Sequence, residues 1–287
     1  MEFRQYCESD YDAVCDFLIA LNAADRRHIN WNWARFEWMY GHPECDRTLL
    51  GSIGLWIDGG AVVGAAIYDM YFGEAFCAAL PAYASLYPEI LTYAYGAMRD
   101  DAGLAVAIPD DCACEIEAAK RLGFAPTEQT ETIMAIDLDA RRAAALPDGL
   151  WIAEPDPVKD DEALQWLFWQ GFDHGSDREA FLREKQPASR PRRHFNPHLG
   201  PAAVNEAGEY VACCCLWYEG RTDYAYVEPV CTIPAYRGKG VAKALLYEAM
   251  NRARAIGAKR AYVISDMPFY EALGFRKERH YTFYRKG

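Results

Sequence analysis

The run Ile233-Pro234-Ala235-Tyr236-Arg237-Gly238-Lys239-Gly240-Val241-Ala242 is where residue types and spacing could do chemistry most directly. It follows an apolar stretch that reads as a strand and opens one that reads as a helix. Glycines at 238 and 240 let main-chain amides point into one concavity with no Cβ in the way. A helix N-terminus adds unsatisfied N–H groups and a favourable dipole. The combination suits a pyrophosphate. Residues 237–260 also carry seven basic side chains against a single acid, Glu248. Two familiar phosphate motifs are excluded. No Gly-Lys-Ser/Thr ends the run, so it is not a Walker loop. The preceding strand comes late in its half of the chain and no acid follows at ribose-binding distance, so it is not a dinucleotide fingerprint.

Other chemistry-bearing residues are scattered around this loop. Glu228 interrupts the otherwise uncharged strand Tyr224-Ala225-Tyr226-Val227-Glu228-Pro229-Val230. A charge there is costly unless paired or wet. Pro229 interrupts the local ladder, as at a splayed site. His174, His194 and His198 could titrate near neutrality, or pack in loops. Arg190, Arg192 and Arg193 could meet a phosphate, or form a solvated loop. Trp31, Trp33, Phe36 and Trp38 read first as core or packing between halves, and second as part of a ligand pocket. The ten cysteines do not read as disulfides or as a metal cage. Cys213, Cys214 and Cys215 are consecutive in a strand, where neighbours point to opposite faces. Cys112 and Cys114 lack a second matching pair. No metal is expected, and a reducing compartment fits this usage.

The elements that must position these residues come in two similar sets. The first half reads as a strand at 2–6, a helix capped by Ser9 or Asp10, an aromatic-rich stretch at 25–45, and strands at 50–58, 61–71 and 74–80. A helix at 88–99, a strand at 103–108, a helix at 113–122 and a strand at 129–138 follow. The second half repeats the order, with strands near 151–154, 201–206, 209–218, 222–233, 259–264 and 276–285, and helices near 160–171, 240–256 and 268–273. The stretch 172–200, broken by three prolines, reads as irregular or weakly helical. Letters repeat as well. Leu122-Gly123-Phe124 answers Leu273-Gly274-Phe275, offset by 151, and Pro81-Ala82-Tyr83 answers Pro234-Ala235-Tyr236, offset by 153. A duplication is expected, divided into residues 1–140, a linker at 141–149, and residues 150–287.

The loop and a second signature together resemble the GCN5-related N-acetyltransferase (GNAT) superfamily. That family carries Arg/Gln-x-x-Gly-x-Gly/Ala, matched here by Arg237, Gly240 and Ala242. It also carries an aromatic-Tyr pair before Gly-Phe, matched by Phe269-Tyr270-Glu271-Ala272-Leu273-Gly274-Phe275. The resemblance covers about 150–287. It implies an α/β (α+β) fold of two tandem GNAT-like domains, each a mixed, largely antiparallel sheet flanked by helices. It implies acetyl-CoA as co-substrate, with Arg237, Gly238, Lys239, Gly240, Val241 and Ala242 at the pyrophosphate and Cys231, Thr232 and Ile233 offering backbone groups to pantetheine and thioester. Tyr270 would be the general acid, or else a tyrosine packed between helix and sheet. Glu228 would be the base, a substrate contact, or half of an ion pair. Cys231 could also be a nucleophile in principle, but no base is implied beside it. The first half looks like a degenerate copy. Ala84-Ser85-Leu86-Tyr87-Pro88-Glu89 has no glycine, and Ala119 stands where Tyr270 stands in the second copy.

The activity this implies is acetyl transfer to an amine by direct attack in a ternary complex. A non-catalytic acyl-CoA sensor and an O-acetyltransferase are the alternatives. Composition agrees with a globular chain: 287 residues, 52% hydrophobic and 25% charged. The net charge of −12 is uneven, because residues 1–149 hold 24 acids and 10 bases, while 150–287 hold 18 and 20. That distribution disfavours a nucleic-acid partner. No apolar run suggests a membrane span, and the charged start is unlike a secretory signal, so a cytoplasmic protein with a small-molecule or peptide acceptor is expected.

Overall fold

Short-range chemistry places the elements before any packing does. Asn32 starts one helix by accepting from the amides of Ala34 and Arg35, and Asp177 starts another by accepting from Glu179 and Ala180. Gly123 and Gly274 end equivalent helices in the left-handed region, φ 88° and 96°. The same bond closes both turns: Phe124 N–H to Ala119 C=O and Phe275 N–H to Tyr270 C=O, each 3.0 Å.

The computed structural model describes residues 1–24, 28–187 and 193–287. The first half runs β1 (Glu2–Gln5), α1 (Tyr11–Ala24), α2 (Trp33–Gly41), β2 (Gly54–Asp58), β3 (Ala61–Asp69), β4 (Tyr71–Ala79), α3 (Tyr87–Met98), β5 (Leu104–Pro109), α4 (Ala113–Arg121) and β6 (Ala125–Asp137). The second runs β7 (Leu150–Ala153), α5 (Asp161–Gly171), α6 (Arg178–Glu184), β8 (Ala202–Asn205), β9 (Tyr210–Tyr218), β10 (Tyr224–Thr232), α7 (Val241–Ala255), β11 (Arg260–Ile264), α8 (Pro268–Ala272) and β12 (Arg276–Lys286). The two orders are identical, including a short 3-10 turn before the third helix of each half, at Pro81–Leu86 and Pro234–Tyr236. Among the described residues of the stretch 172–200 there is one α-helix, α6, which its N-cap aspartate, Asp177, starts.

All strands form one mixed sheet of order β1-β2-β3-β4-β5-β12-β6-β11-β10-β9-β8-β7. The last strands of the two halves are exchanged at its centre. β12 pairs with β5 from Tyr281↔Pro109 to Lys286↔Leu104. β6 pairs with β11 from Arg260↔Asp137 to Ile264↔Ile133. Each half thereby closes an edge of the other, and edges are where sheets are most open to wrong pairing. The cores follow suit. Trp217, Tyr224, Tyr226, Tyr262, Tyr281 and Phe283 of the second half pack in the same cluster as Trp33, Phe36, Trp56 and Phe76 of the first. A second cluster joins α7 to the opposite face of β9–β11, through Leu245, Ala249, Cys214 and Val263. No helix among the described residues is long and apolar enough to cross a membrane.

Candidate functional site

β10 lies along β9 for its whole length but along β11 only from Tyr224↔Arg260 to Tyr226↔Tyr262. Beyond Tyr226 the two parallel strands part, so residues 227–232 keep an edge that no strand covers. A bulge falls between Val227 and Val230, where Pro229 has no N–H to give a ladder. Which groups face the open edge follows from alternation in the antiparallel pair with β9. Ile233 N–H is spent on Val211 C=O at 3.0 Å. Thr232, opposite Ala212, and Val230, opposite Cys214, therefore turn their amides to the open edge, and Cys231 turns its amide to β9. Of the three backbone positions expected from the sequence, Thr232 is the one whose N–H faces the gap. Val230 joins it, and register is not legible until the partner strand is known.

The gap leads directly into the glycine loop. Gly238 and Gly240 have φ 72° and 81°, and no atom lies within 4 Å of where a Cβ on either would sit. Gly240 is the N-cap of α7, and no side chain caps it. The amides of residues 238–243 make no hydrogen bond of good geometry to another described residue. These residues fit a pyrophosphate by donor set and by space. Arg237 turns away. Its guanidinium donates to Thr232 C=O (3.0 Å) and Gly171 C=O (2.7 Å) and pairs with Asp173 (3.0 Å), tying the loop to the end of α5. The basic cluster sorts in the same manner. Arg252 binds Glu248 and Glu154, Arg254 binds Leu138 C=O, and Arg260 binds Asp137 and Glu278. Lys239 and Lys243 are exposed, lie over Tyr236 and Tyr247, and have no acidic partner among the described residues. Lys259, also exposed, lies at the far end of the run beyond α7, so Lys239 and Lys243 are the charges beside the loop that could meet an anion.

Tyr270 sits on α8 under the α7 face of the sheet, 7% exposed, with its ring 5.0 Å from Phe269 and 5.5 Å from Phe275. Its hydroxyl makes no hydrogen bond to another described residue. Burial, with the charges of Cys214 and Glu228 adding to it, pushes its pKa well up, so it holds its proton. Glu228 sits at the bulge. Tyr226 donates to its carboxylate at 2.6 Å. Burial raises the Glu228 pKa; the Tyr226 bond and the Arg35 charge oppose that rise. Arg35 comes from α2 of the other half, between Glu131 (3.0 Å) and Asp69 (3.3 Å). Cys231 is packed against α5, Sγ 3.6 Å from Leu167 C=O, and burial pushes its thiol up to about 12. That opposes a thiolate nucleophile.

Two of the remaining candidates, His194 and Arg193, join the halves. His194 bonds Glu37 of α2 through both its main-chain N–H (3.2 Å) and its ring. Arg193 pairs with Asp12 and lies over Tyr11. His198 meets Glu154 at 3.1 Å and His174 lies against Trp169. Arg190 and Arg192 lie outside the described residues. Trp31, Trp33 and Phe36 are core. Trp38, with α5, α6 and β9, borders a cavity of about 690 Å³ that reaches Pro229. In the first half the loop equivalent is absent: Pro81–Leu86 runs straight into α3, Glu89 is occupied by the Trp56 indole (2.8 Å), and Ala119 is fully buried.

A profile of the acetyltransferase (GNAT) family matches residues 161–275. No curated protein sequence matches the chain. Among solved structures, a GCN5-related N-acetyltransferase from Sphaerobacter thermophilus is 18% identical, with 99% of this chain and 95% of that one covered at a TM-score of 0.62. A tandem GNAT protein from the clavulanic acid biosynthesis pathway is 15% identical, with 99% and 98% covered, also at 0.62. At such identities the likeness is one of fold.

Proposed function

We propose that this chain, whose residues 161–275 match the acetyltransferase (GNAT) family and whose fold is like that of a tandem GNAT protein, moves an acetyl group from acetyl-CoA to an amine by direct attack in a ternary complex. The observation that carries this reading is the continuity of the open β10 edge with the amide loop at 238–243, with Glu228 and Tyr270 beside the gap. The loop and the α7 N-terminus would hold the pyrophosphate, with Lys239 and Lys243 adding charge. Pantetheine would lie along the open edge. The Val230 and Thr232 amides, about 7 Å apart along one strand edge, would divide the ligand: one would receive the oxyanion that forms as the amine nitrogen attacks the carbonyl carbon, and the other would bind pantetheine. The C–S bond then breaks. Glu228 takes the proton that the amine loses, and Tyr270 gives its proton to the leaving thiolate. A phenol kept neutral by burial suits the second role; a carboxylate kept less acidic than usual by burial suits the first.

Calorimetric titration with acetyl-CoA tests the binding half. One site per chain, abolished by Gly240→Asp, is expected. A folded protein that binds no acetyl-CoA overturns the proposal, and two sites per chain would overturn the silence of the first half.

A further inference from the structure

The cavity bordered by Trp38 contains information about the acceptor. It measures about 690 Å³, within the range of small-molecule sites. It lies on the α5 face of the sheet and ends at Pro229, beside the candidate base, so a molecule filling it reaches the gap from the side opposite Tyr270. Its floor and walls are apolar: Cys213 and Cys215 of β9, Phe168 of α5, Phe172 just past its end, Phe195, and Trp38 of α2. Among the described residues its rim is acidic: Glu44, Asp161 and Glu184 stand against one Lys185, whose ammonium is bound to Glu162 at 2.5 Å. Among the described residues, Glu44 and Asp161 accept only from neutral side-chain donors, the Tyr71 hydroxyl (2.8 Å) and the Gln165 amide (2.7 Å). The indole nitrogen of Trp169, another lining residue, is buried with no partner among the described residues. Carboxylates over aromatic faces favour a cation, and an apolar floor disfavours a polyhydroxylated one.

We propose that this cavity is the acceptor site and that its acceptor is an amine carried on an apolar, ring-sized body, not an aminosugar or an aliphatic polyamine. The inference rests on the acetyl-transfer reading above. It also gives the first half a task. That half lost its own coenzyme signals but supplies Trp38, His42 and Glu44 as one wall of the second half's pocket.

The test compares 2-phenylethylamine and cyclohexylmethylamine with glucosamine and putrescine, using coenzyme A release for turnover and intrinsic tryptophan fluorescence for binding, with coenzyme A present. The apolar amines should show kcat/KM at least about tenfold above the polar pair, the scale of one well-placed ring contact. Trp38→Ala and, at an exposed lining position that folding tolerates, Phe172→Ala should each raise KM for the apolar amines several-fold. The dissociation constant of acetyl-CoA should not change. Preference for glucosamine or putrescine, or indifference of KM to both variants, overturns the inference. Should acetyl-CoA fail to bind, the transfer reading falls by itself, and the fluorescence titration still decides the cavity: saturable binding of the apolar amines that weakens in both variants supports it, and absence of binding sinks it.

Discussion

In the proposed mechanism Tyr270 and Glu228 divide the proton work, and each can be isolated. Tyr270→Phe keeps the ring contacts with Phe269 and Phe275 and removes only the donor. Its kcat should fall roughly 10²-fold, the usual size of a general-acid contribution, with acetyl-CoA affinity unchanged by calorimetry. Undiminished turnover would make Tyr270 a packing residue. For Glu228 the sign follows from burial. A base acts ionised, and the folded pKa lies above the ordinary carboxylate value, so kcat/KM should rise with pH through a limb above about 4.3. Glu228→Gln should remove that limb and leave the acceptor amine's own. The same shift makes the folded form bind its proton more tightly. Glu228 therefore favours folding at low pH and loses that contribution as pH rises through its folded pKa, a slope that Glu228→Gln should flatten. Both stand out as candidates in the sequence because their signals are local: a charge inside an apolar strand, and a tyrosine four residues before Gly-Phe. The Val230 amide does not, since register against β9 decides its direction.

Elements were legible wherever a cap, a glycine or an alternating run marked them, and even the duplication is written in Leu-Gly-Phe. The exchange of β6 and β12 is not. Both strands follow equivalent helices and both carry alternating patterns, so either could complete either half; only the three-dimensional pairing chooses. The choice has consequences for where the chain can be cut. The family match stops at Phe275, just before β12. A chain ending there should still fail to fold or should aggregate, because β5 and β6 would each be left with an open edge. Soluble, cooperatively unfolding protein from that truncation would mean the exchanged strand is dispensable. Close packing sets a second test at this scale. A Cβ at Gly171 would lie 1.9 Å from Cys231 Sγ, where α5 crosses β10. Gly171→Ala should cost about 1–3 kcal/mol in denaturant unfolding, as overpacking does, and Cys231→Ala in the same chain should recover much of it.

At the scale of the molecule, duplication and exchange pull in different directions. Two copies with separate cores would unfold in two steps, and the loaded copy alone would respond to coenzyme. Here the sheet is continuous, and Trp217, Tyr226 and Phe283 of one half belong to the core of the other. Cross-half polar bonds reinforce this: Glu37 with His194, Arg221 with Asp16 at 2.5 Å, and Asp110 with His280 at 2.6 Å. Neither half can melt without stripping strands and aromatic surface from its neighbour, so the free energies of the two are coupled. Thermal unfolding should therefore give one calorimetric transition, with van't Hoff and calorimetric enthalpies equal. Acetyl-CoA at about 100 times its dissociation constant should add about 2.7 kcal/mol to that single transition, although the proposed site lies in one half. Two resolved transitions, with only one moved by coenzyme, would show instead that the exchanged strands join two independently folding units. The retained but silent half would then be tethered ballast, whereas a single shifted transition makes it part of the scaffold that holds the gap between β10 and β11 open.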